Sequence, residues 1–315
     1  MEKRALGTSG FTVAPLALGG NVFGWTADEA TSLSLIDAFV ERGFSLIDTA
    51  DVYSIWVPGH QGGESERIIG RWLKRGGRRE AIHIATKVGM DMKAGGKGLS
   101  RAHIIAAAEQ ALRNLGTDHI DLFQAHIDDI TVPLDETLEA FAGLVAAGKV
   151  RAVGASNYTA PRLAEALAAS ASGGYPRFSV LQPHYNLANR ALFEGALQQL
   201  CLAETIGVIP YYALAAGFLT GKYRRPEDLA GRARGGTVAH YLDPRGLDLL
   251  GEMDRIAARL GATTAQIAIA WLMAQPAVTA PIVSATSLAQ LEEIMDAAQV
   301  RLDAAALSRL DRASI

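Results

Sequence analysis

Eight short apolar runs, spread along the whole chain and separated by helix-length segments, constrain the fold more than any other feature. They are PLALG, SLID, IHIAT, IDLFQA, VRAVGA, FSVLQ, GVIPY and VTAPIV, beginning at residues 15, 45, 82, 120, 150, 178, 207 and 278. Each shows little polar alternation, as a strand does when both of its faces are covered. Strands of that kind, followed by helices, form a parallel sheet with helices on its outer face. Eight is the number that closes a (β/α)8 (TIM) barrel. An open, doubly wound sheet is the alternative, because counting strands does not close a ring. The expectation is one α/β domain over residues 1–315, a (β/α)8 barrel preceded by a β-hairpin around GTSG in the first twenty residues.

The connecting segments have the period of amphipathic helices. In SRAHIIAAAEQALRNLG, Ile104, Ala108, Ala111, Leu112 and Leu115 share a face, and Gly116 is placed to end the helix. In PLDETLEAFAGLVAAGK, Leu138, Phe141, Ala142 and Val145 do the same, with Gly148 at the end. Pro161, in YTAPRLAEALAAS, suits a first helical turn. The stretch GKYRRPEDLAGRARGGTVAHYLDPRG, between the seventh and eighth strands, has the composition of a loop.

Several function classes fall away. With 315 residues, 49% of them hydrophobic and 20% charged, the chain can build a large core, and its net charge of −3 comes without a basic block. Binding to nucleic acid or to an anionic membrane therefore has no electrostatic basis. The apolar runs are far shorter than a membrane span, and MEKRALGTSGFTVAPLALGG lacks the apolar stretch of a signal peptide. A single cysteine, Cys201 in LQQLCLAET, excludes an intrachain disulfide and fits a reducing cytoplasm, as a small core residue of a helix. The seven histidines show no H-E-x-x-H pairing, so no metal is expected. GGNVFG, GFLTGKY and GASNY each miss a defining residue of a nucleotide-binding loop or nucleophile elbow.

Four polar residues stand at or just after the C-terminal ends of successive strands, where barrel enzymes place their chemistry. Asp48 ends SLID, Tyr53 follows in the next loop, Lys87 ends IHIATK and His126 follows IDLFQA. Taken singly, Asp48 and Lys87 would be a structural ion pair, His126 a satisfied rim histidine and Tyr53 a loop aromatic. Four together at consecutive strand ends favour a site.

These residues sit in GFSLIDTADVY with GGESERIIG, IATKVG, LGTDHIDLFQAH, GKVRAVGASNY, LQPHYNL and GFLTGKY, a series that resembles the aldo-keto reductase family over essentially the whole chain. The resemblance implies that family's (β/α)8 barrel with a hairpin closing its base, and a catalytic tetrad of Asp48, Tyr53, Lys87 and His126. It implies NADP(H) as cofactor, with NAD(H) as the alternative, and a small-molecule aldehyde, ketone or alcohol as substrate. For the cofactor it implies contacts from Gly20, Asn21 and Asp48, and from Ser156, Asn157 and Gln182 to the nicotinamide amide. Tyr211 matches the aromatic that stacks on the ring, and Leu214, Gly217, Leu219 and Lys222 the segment over the pyrophosphate. Thr286, Gln290 and Glu293 match the adenosine end. Lys222 and Arg234, from GRARGG, are cations that the lid between strands seven and eight could bring to the phosphates. Trp25 and Trp56 either wall the substrate pocket together with Tyr53 and His126 or are packing aromatics.

Chemistry gives the four residues distinct tasks. Reduction of a carbonyl needs a hydride donor and an acid for the forming alkoxide. A free tyrosine, with a pKa of about 10, is a reluctant acid–base group near neutrality. A Lys87 ammonium beside it is expected to lower that value, Asp48 to hold the ammonium, and His126 to orient the substrate oxygen. The chain departs from the family pattern in three places. YYAL stands where Y-S-P-L is usual, Ser284 where Gly is usual, and Ile294 where an Asn usually meets the adenine. A second reading of the family resemblance is a cofactor-binding regulatory subunit of the potassium-channel β type, against which the complete tetrad weighs.

Overall fold

The structure is a computed structural model that describes residues 2–76 and 79–314. It begins with a hairpin in which β1 (Arg4–Ala5) pairs antiparallel with β2 (Thr12–Val13). Eight strands follow: β3 (Ala17–Gly19), β4 (Leu46–Asp48), β5 (His83–Val88), β6 (Ile120–Ala125), β7 (Val150–Ser156), β8 (Val180–Gln182), β9 (Gly207–Val208) and β10 (Ile282–Val283). They form one sheet in the order β10-β3-β4-β5-β6-β7-β8-β9, and every neighbouring pair is parallel. Its two ends also meet. Val208 bridges Val278 in parallel, Thr279 N–H donates to the Val208 carbonyl at 2.8 Å, and Ile282 N–H to that of Pro210 at 2.9 Å. The ring is a (β/α)8 barrel, and the doubly wound alternative is excluded.

The helices are α1 (Glu29–Glu41), α2 (Glu64–Gly76), α3 (Arg101–Leu115), α4 (Leu134–Ala146), α5 (Ala160–Gly173), α6 (Ala196–Ala203), α7 (Gly235–Val238), α8 (Pro244–Leu260), α9 (Thr264–Ala274), α10 (Leu288–Asp296) and α11 (Ala304–Ala313). Local chemistry sets several of their ends. Ser100 and Thr159 cap α3 and α5 by accepting from His103 N–H and Arg162 N–H, and Gly116 ends α3 in the left-handed region. The buried face of α3 is the one its period predicts: Ile104, Ala108, Ala111, Leu112 and Leu115. In α4 the face is rotated. Leu134, Leu138, Phe141 and Leu144 are buried, whereas Ala142 and Val145 are only half-buried. Residues 221–246 are not an unstructured loop. They contain 3-10 turns at Pro226–Leu229 and Ala239–Tyr241, the short α7 and the first turn of α8.

Two apolar layers position the site. Leu46, Ala85, Leu122, Ala152, Val180 and Ile209 fill the barrel interior, and Leu6 and Val13 of the hairpin join the same cluster. The hairpin thus seals the floor, against the N-terminal ends of β8 and β9. Approach there is so close that a Cβ on Gly7 would lie 2.1 Å from the Ser179 carbonyl oxygen, and one on Gly207 2.5 Å from Gly7 N. Gly7 also has φ +56, so no other residue fits without strain. A second, larger layer packs between barrel and helices. Among the described residues no single helix is long and apolar enough to cross a membrane, and no group of three His, Cys, Asp or Glu could hold a metal ion. Cys201 lies buried in α6, and burial pushes its thiol up to about 12, which leaves it inert as a nucleophile.

Candidate active site

Sheet register brings the polar strand ends into one layer. Asp48, the last residue of β4, is paired with Ala85 of β5, Lys87 with Gln124 of β6, and Ser156 with Gln182. His126 directly follows β6 and is tied to β5 by its N–H, which donates to the Val88 carbonyl at 2.8 Å. Tyr53 is carried inward by a turn in which Ser54 has φ +71 and donates its hydroxyl to the Phe23 carbonyl at 2.8 Å. A buried non-glycine residue in the left-handed region is strained, and such strain persists where its surroundings enforce it.

Asp48 and Lys87 are both buried, and their bonds are fully committed. Lys87 Nζ donates to Asp48 Oδ2 at 2.8 Å, to the Thr49 carbonyl at 2.7 Å and to the Tyr53 hydroxyl oxygen at 2.9 Å. An ammonium has three protons, and all three are used. The other carboxylate oxygen of Asp48 accepts from Gln182 Nε2 at 2.8 Å. The acid at the end of a buried strand therefore has the partners its burial requires. Tyr53 OH also donates to Asp48 Oδ2, but at 3.2 Å, which is long for a bond between hydroxyl and carboxylate. That proton is weakly held and can turn to another acceptor.

Electrostatics correct one expectation. Burial, reinforced by the charge and hydrogen bond of Asp48, pushes the Tyr53 phenol well above its ordinary range. The ammonium alone would favour the phenolate, but burial disfavours that charge, and the nearby Asp48 carboxylate, accepting at 3.2 Å, opposes it further. Burial pulls Lys87 down against the attraction of Asp48. His126 is held well below its usual value by burial and by the Lys87 charge, so it is a neutral imidazole at physiological pH. Its Nδ1 is buried and has no partner among the described residues.

The residues expected at the nicotinamide adjoin this web. Ser156 Oγ donates to the Gln182 carbonyl at 2.8 Å, Asn157 Nδ2 to the His126 carbonyl at 2.9 Å and Tyr211 OH to Asn157 Oδ1 at 2.8 Å. Tyr211 stacks on His184, with centroids 5.2 Å apart. Gly20 packs on the site's rear wall, where a Cβ would meet Ser65 Oγ at 2.7 Å and the Asp48 carbonyl at 3.1 Å. Further out, Asn21 Oδ1 accepts from Ser284 Oγ at 2.6 Å, so the serine that replaces a glycine has a partner. Leu214, Gly217 and Leu219 lie in a segment where Ala215, Ala216 and Gly217 all have positive φ, and the exposed Lys222 has its amine beside Gly217 and over the Tyr223 ring. Thr286 donates its N–H and its hydroxyl to Gln290 Oε1 at 2.9 and 3.0 Å. Glu293 is half-buried, and Ile294 is turned into the core.

An aromatic wall rises beside Tyr53. Its ring lies 6.1 Å from His126 and 6.2 Å from Trp56, and Trp56 meets Trp25 edge-on at 5.5 Å. Trp56 is exposed at the mouth. Arg234 is placed over the Trp25 ring, with Cζ 5.4 Å from its centroid.

Four residues at this site were not singled out from the sequence. Asp51 is buried, accepts from Val52 N–H at 2.6 Å through Oδ1 and leaves Oδ2 without a partner among the described residues. Burial, with Glu66 nearby, raises its carboxyl to about 8. Glu66 accepts from Thr86 at 2.6 Å and Asn114 at 2.8 Å, and burial raises it too. The available signal was four acids in the nineteen residues from the end of an apolar strand, at 48, 51, 64 and 66. Ser54 and Tyr212, at φ +71 and +56, gave none, because neither residue type announces a left-handed backbone.

A sequence model described as the aldo/keto reductase family matches residues 15–315. Uncharacterized oxidoreductase YrpG of Bacillus subtilis (strain 168) is 34% identical, over 99% of this chain and 95% of its own length. Aldo-keto reductase YhdN of the same organism is 32% identical, over 89% of this chain and 82% of its own. L-glyceraldehyde 3-phosphate reductase of Escherichia coli O157:H7 is 31% identical, over 94% of this chain and 87% of its own.

Proposed function

Because the chain belongs to the aldo/keto reductase family, we propose that it interconverts aldehydes or ketones and alcohols with NADP(H), using Tyr53 as general acid–base. One observation carries this reading: the Tyr53 oxygen accepts from a fully committed ammonium while its own proton has only a 3.2 Å contact to Asp48. That arrangement leaves one proton free to move to a substrate oxygen and a cation in place to stabilise what remains.

The residues present fit a dinucleotide. Ser156, Asn157, Gln182 and Tyr211 form a linked polar and aromatic group beside Tyr53, suited to a nicotinamide amide and ring. Gly217, which has no Cβ, with the Lys222 ammonium beside it, gives a cationic stretch suited to a pyrophosphate. A nicotinamide held by these residues would supply the hydride. Tyr53, neutral in the folded protein, gives its proton to the carbonyl oxygen, and Lys87 holds the resulting phenolate. Asp48 holds Lys87, and neutral His126 donates to the same oxygen to fix the substrate's orientation. In the oxidative direction the tyrosine takes the proton back.

A carbonyl substrate is also supported by the relative named L-glyceraldehyde 3-phosphate reductase. The single, buried cysteine supports a reducing, cytoplasmic setting. Complete committal of Lys87 favours an enzyme over a cofactor-binding subunit, for which no proton donor need be tuned. The test is a steady-state screen of NADPH and NADH oxidation against aldehydes, ketones and sugars, repeated with Tyr53→Phe. The variant should bind NADPH as the wild type does and lose about 10²- to 10⁴-fold in kcat. Near wild-type kcat on a good aldehyde would refute the assignment.

A further inference from the structure

Arg234 is the anomaly of the mouth. It precedes α7 in the segment between β9 and α8, is half-buried, and among the described residues has no carboxylate partner and no side-chain hydrogen bond. Arg79, Arg162 and Arg190, also partly buried, are paired with Asp121 at 2.6 Å, Asp128 at 3.0 Å and Glu194 at 2.7 Å, and Arg4 donates to the Val278 carbonyl at 3.0 Å. A guanidinium stays charged in a protein, so partial burial without a counter-ion is unfavourable unless something else engages it. Trp25 does so through its face. Stacking on a ring leaves the edge of the guanidinium, with its N–H donors, unused.

Its position says what those donors meet. Arg234 rests on Trp25, Trp25 contacts Trp56 at 5.5 Å and Trp56 contacts Tyr53 at 6.2 Å. The cation stands at the far end of one aromatic wall, and the phenol stands at the near end. Tyr212, also exposed at the mouth, packs edge-on against Tyr211 and His184 at 5.3 and 5.4 Å. Lys222, by contrast, lies against Gly217 and Tyr223 in the preceding segment.

We propose that Arg234 is a specificity-determining residue that receives an anionic group of the substrate, a carboxylate or a phosphate, at the Trp25 end of the wall while the carbonyl reaches Tyr53. Two parallel N–H groups match two oxygens of either anion. The proposal rests on the reductase reading and reassigns Arg234 from the cofactor's phosphates to the substrate.

Matched aldehydes test it: succinic semialdehyde against butanal for the carboxylate, glyceraldehyde 3-phosphate against glyceraldehyde for the phosphate. The wild type should prefer the anionic member of at least one pair in kcat/KM, and the pair that shows it names the anion. Charge-assisted bonds of about 1.5 to 3 kcal/mol correspond to a preference of roughly 10- to 100-fold, which Arg234→Ala should bring close to unity. Arg234→Lys should recover part of it. A wild type without preference in either pair overturns the proposal, as does an Arg234→Ala enzyme that keeps the preference and instead loses NADPH affinity. Quenching of tryptophan emission runs the same comparison without turnover. A chain that reduces no aldehyde but binds the anionic member through Arg234 breaks the reductase reading alone. One that binds neither anion more tightly than its neutral match breaks this proposal.

Discussion

Replacing Lys87 by Met tests stability and chemistry in one variant. The side chains are similar in length, so the change removes a charge and three donors with little change of volume. Left behind are a buried carboxylate still held by Gln182 at 2.8 Å, a Thr49 carbonyl without its 2.7 Å donor and a tyrosine whose remaining neighbour is Asp48 at 3.2 Å. Breaking a buried ion pair from one side typically costs about 3 to 5 kcal/mol. The stranded Thr49 carbonyl lies within that range rather than beyond it, because costs within one network do not add. Urea unfolding should show the loss. The double variant Asp48→Asn/Lys87→Met should recover a substantial part, since no charge is then left buried alone. Kinetically, Tyr53 loses the cation that stabilises its phenolate and turns its proton toward Asp48. On a good aldehyde kcat should fall by about 10²- to 10⁴-fold, and any tyrosine-dependent limb of the pH–rate profile should move upward. A pH profile superimposed on the wild type, or a double variant no more stable than Lys87→Met, would refute the reasoning.

The remaining predictions concern Asp51 and Lys222. Asp51 titrates at about 8 in the folded chain against an ordinary value of 3.8, so between those pH values the folded state holds a proton that the unfolded state has lost. Stability from this group therefore falls as pH rises through that window. Asp51→Asn should gain on the wild type between pH 5 and pH 8, by an amount on the order of a few kcal/mol; a difference in Tm that is the same at both pH values would count against it. Lys222→Ala should weaken NADPH binding more than NADH binding, by about 3- to 10-fold for an exposed cation that meets phosphate. Equal or tighter binding of NADH to the wild type in a fluorescence titration would overturn the proposed NADPH preference without touching the proposed roles of Asp48, Tyr53, Lys87 and His126.

Most of the barrel was legible because covered parallel strands leave an unmistakable pattern. The run IDLFQA is β6 residue for residue, and the face of α3 follows its period without exception. Legibility failed where proline competes with period. GVIPY and VTAPIV yield only Gly207–Val208 and Ile282–Val283, since Pro210 and Pro281 cannot donate to a ladder. Residues 221–246 look like a loop by composition, because their turns are held by contacts that no local pattern encodes. Gly246 is one such contact: a Cβ there would lie 2.0 Å from the Tyr241 carbonyl oxygen. At the site, strand-end spacing pointed to Asp48, Lys87 and His126, but the direction of the Tyr53 shift is set first by burial and then by the nearness of Asp48, neither of which sequence contains. Asp51 was hidden for the same reason, since only three-dimensional burial separates it from an ordinary loop acid.

The sealed floor of the barrel bears on the order in which the protein can be made. Leu6 and Gly7 leave the ribosome long before Ser179 and Gly207, against which they must close, and Arg4 waits longer still for the Val278 carbonyl it meets at 3.0 Å. Such pairings carry a large loop-closure entropy and belong to the slow end of folding. Until the later strands emerge, the apolar faces of Leu6 and Val13 have no permanent seat, so during translation the hairpin is the part of the chain most dependent on not finding another one.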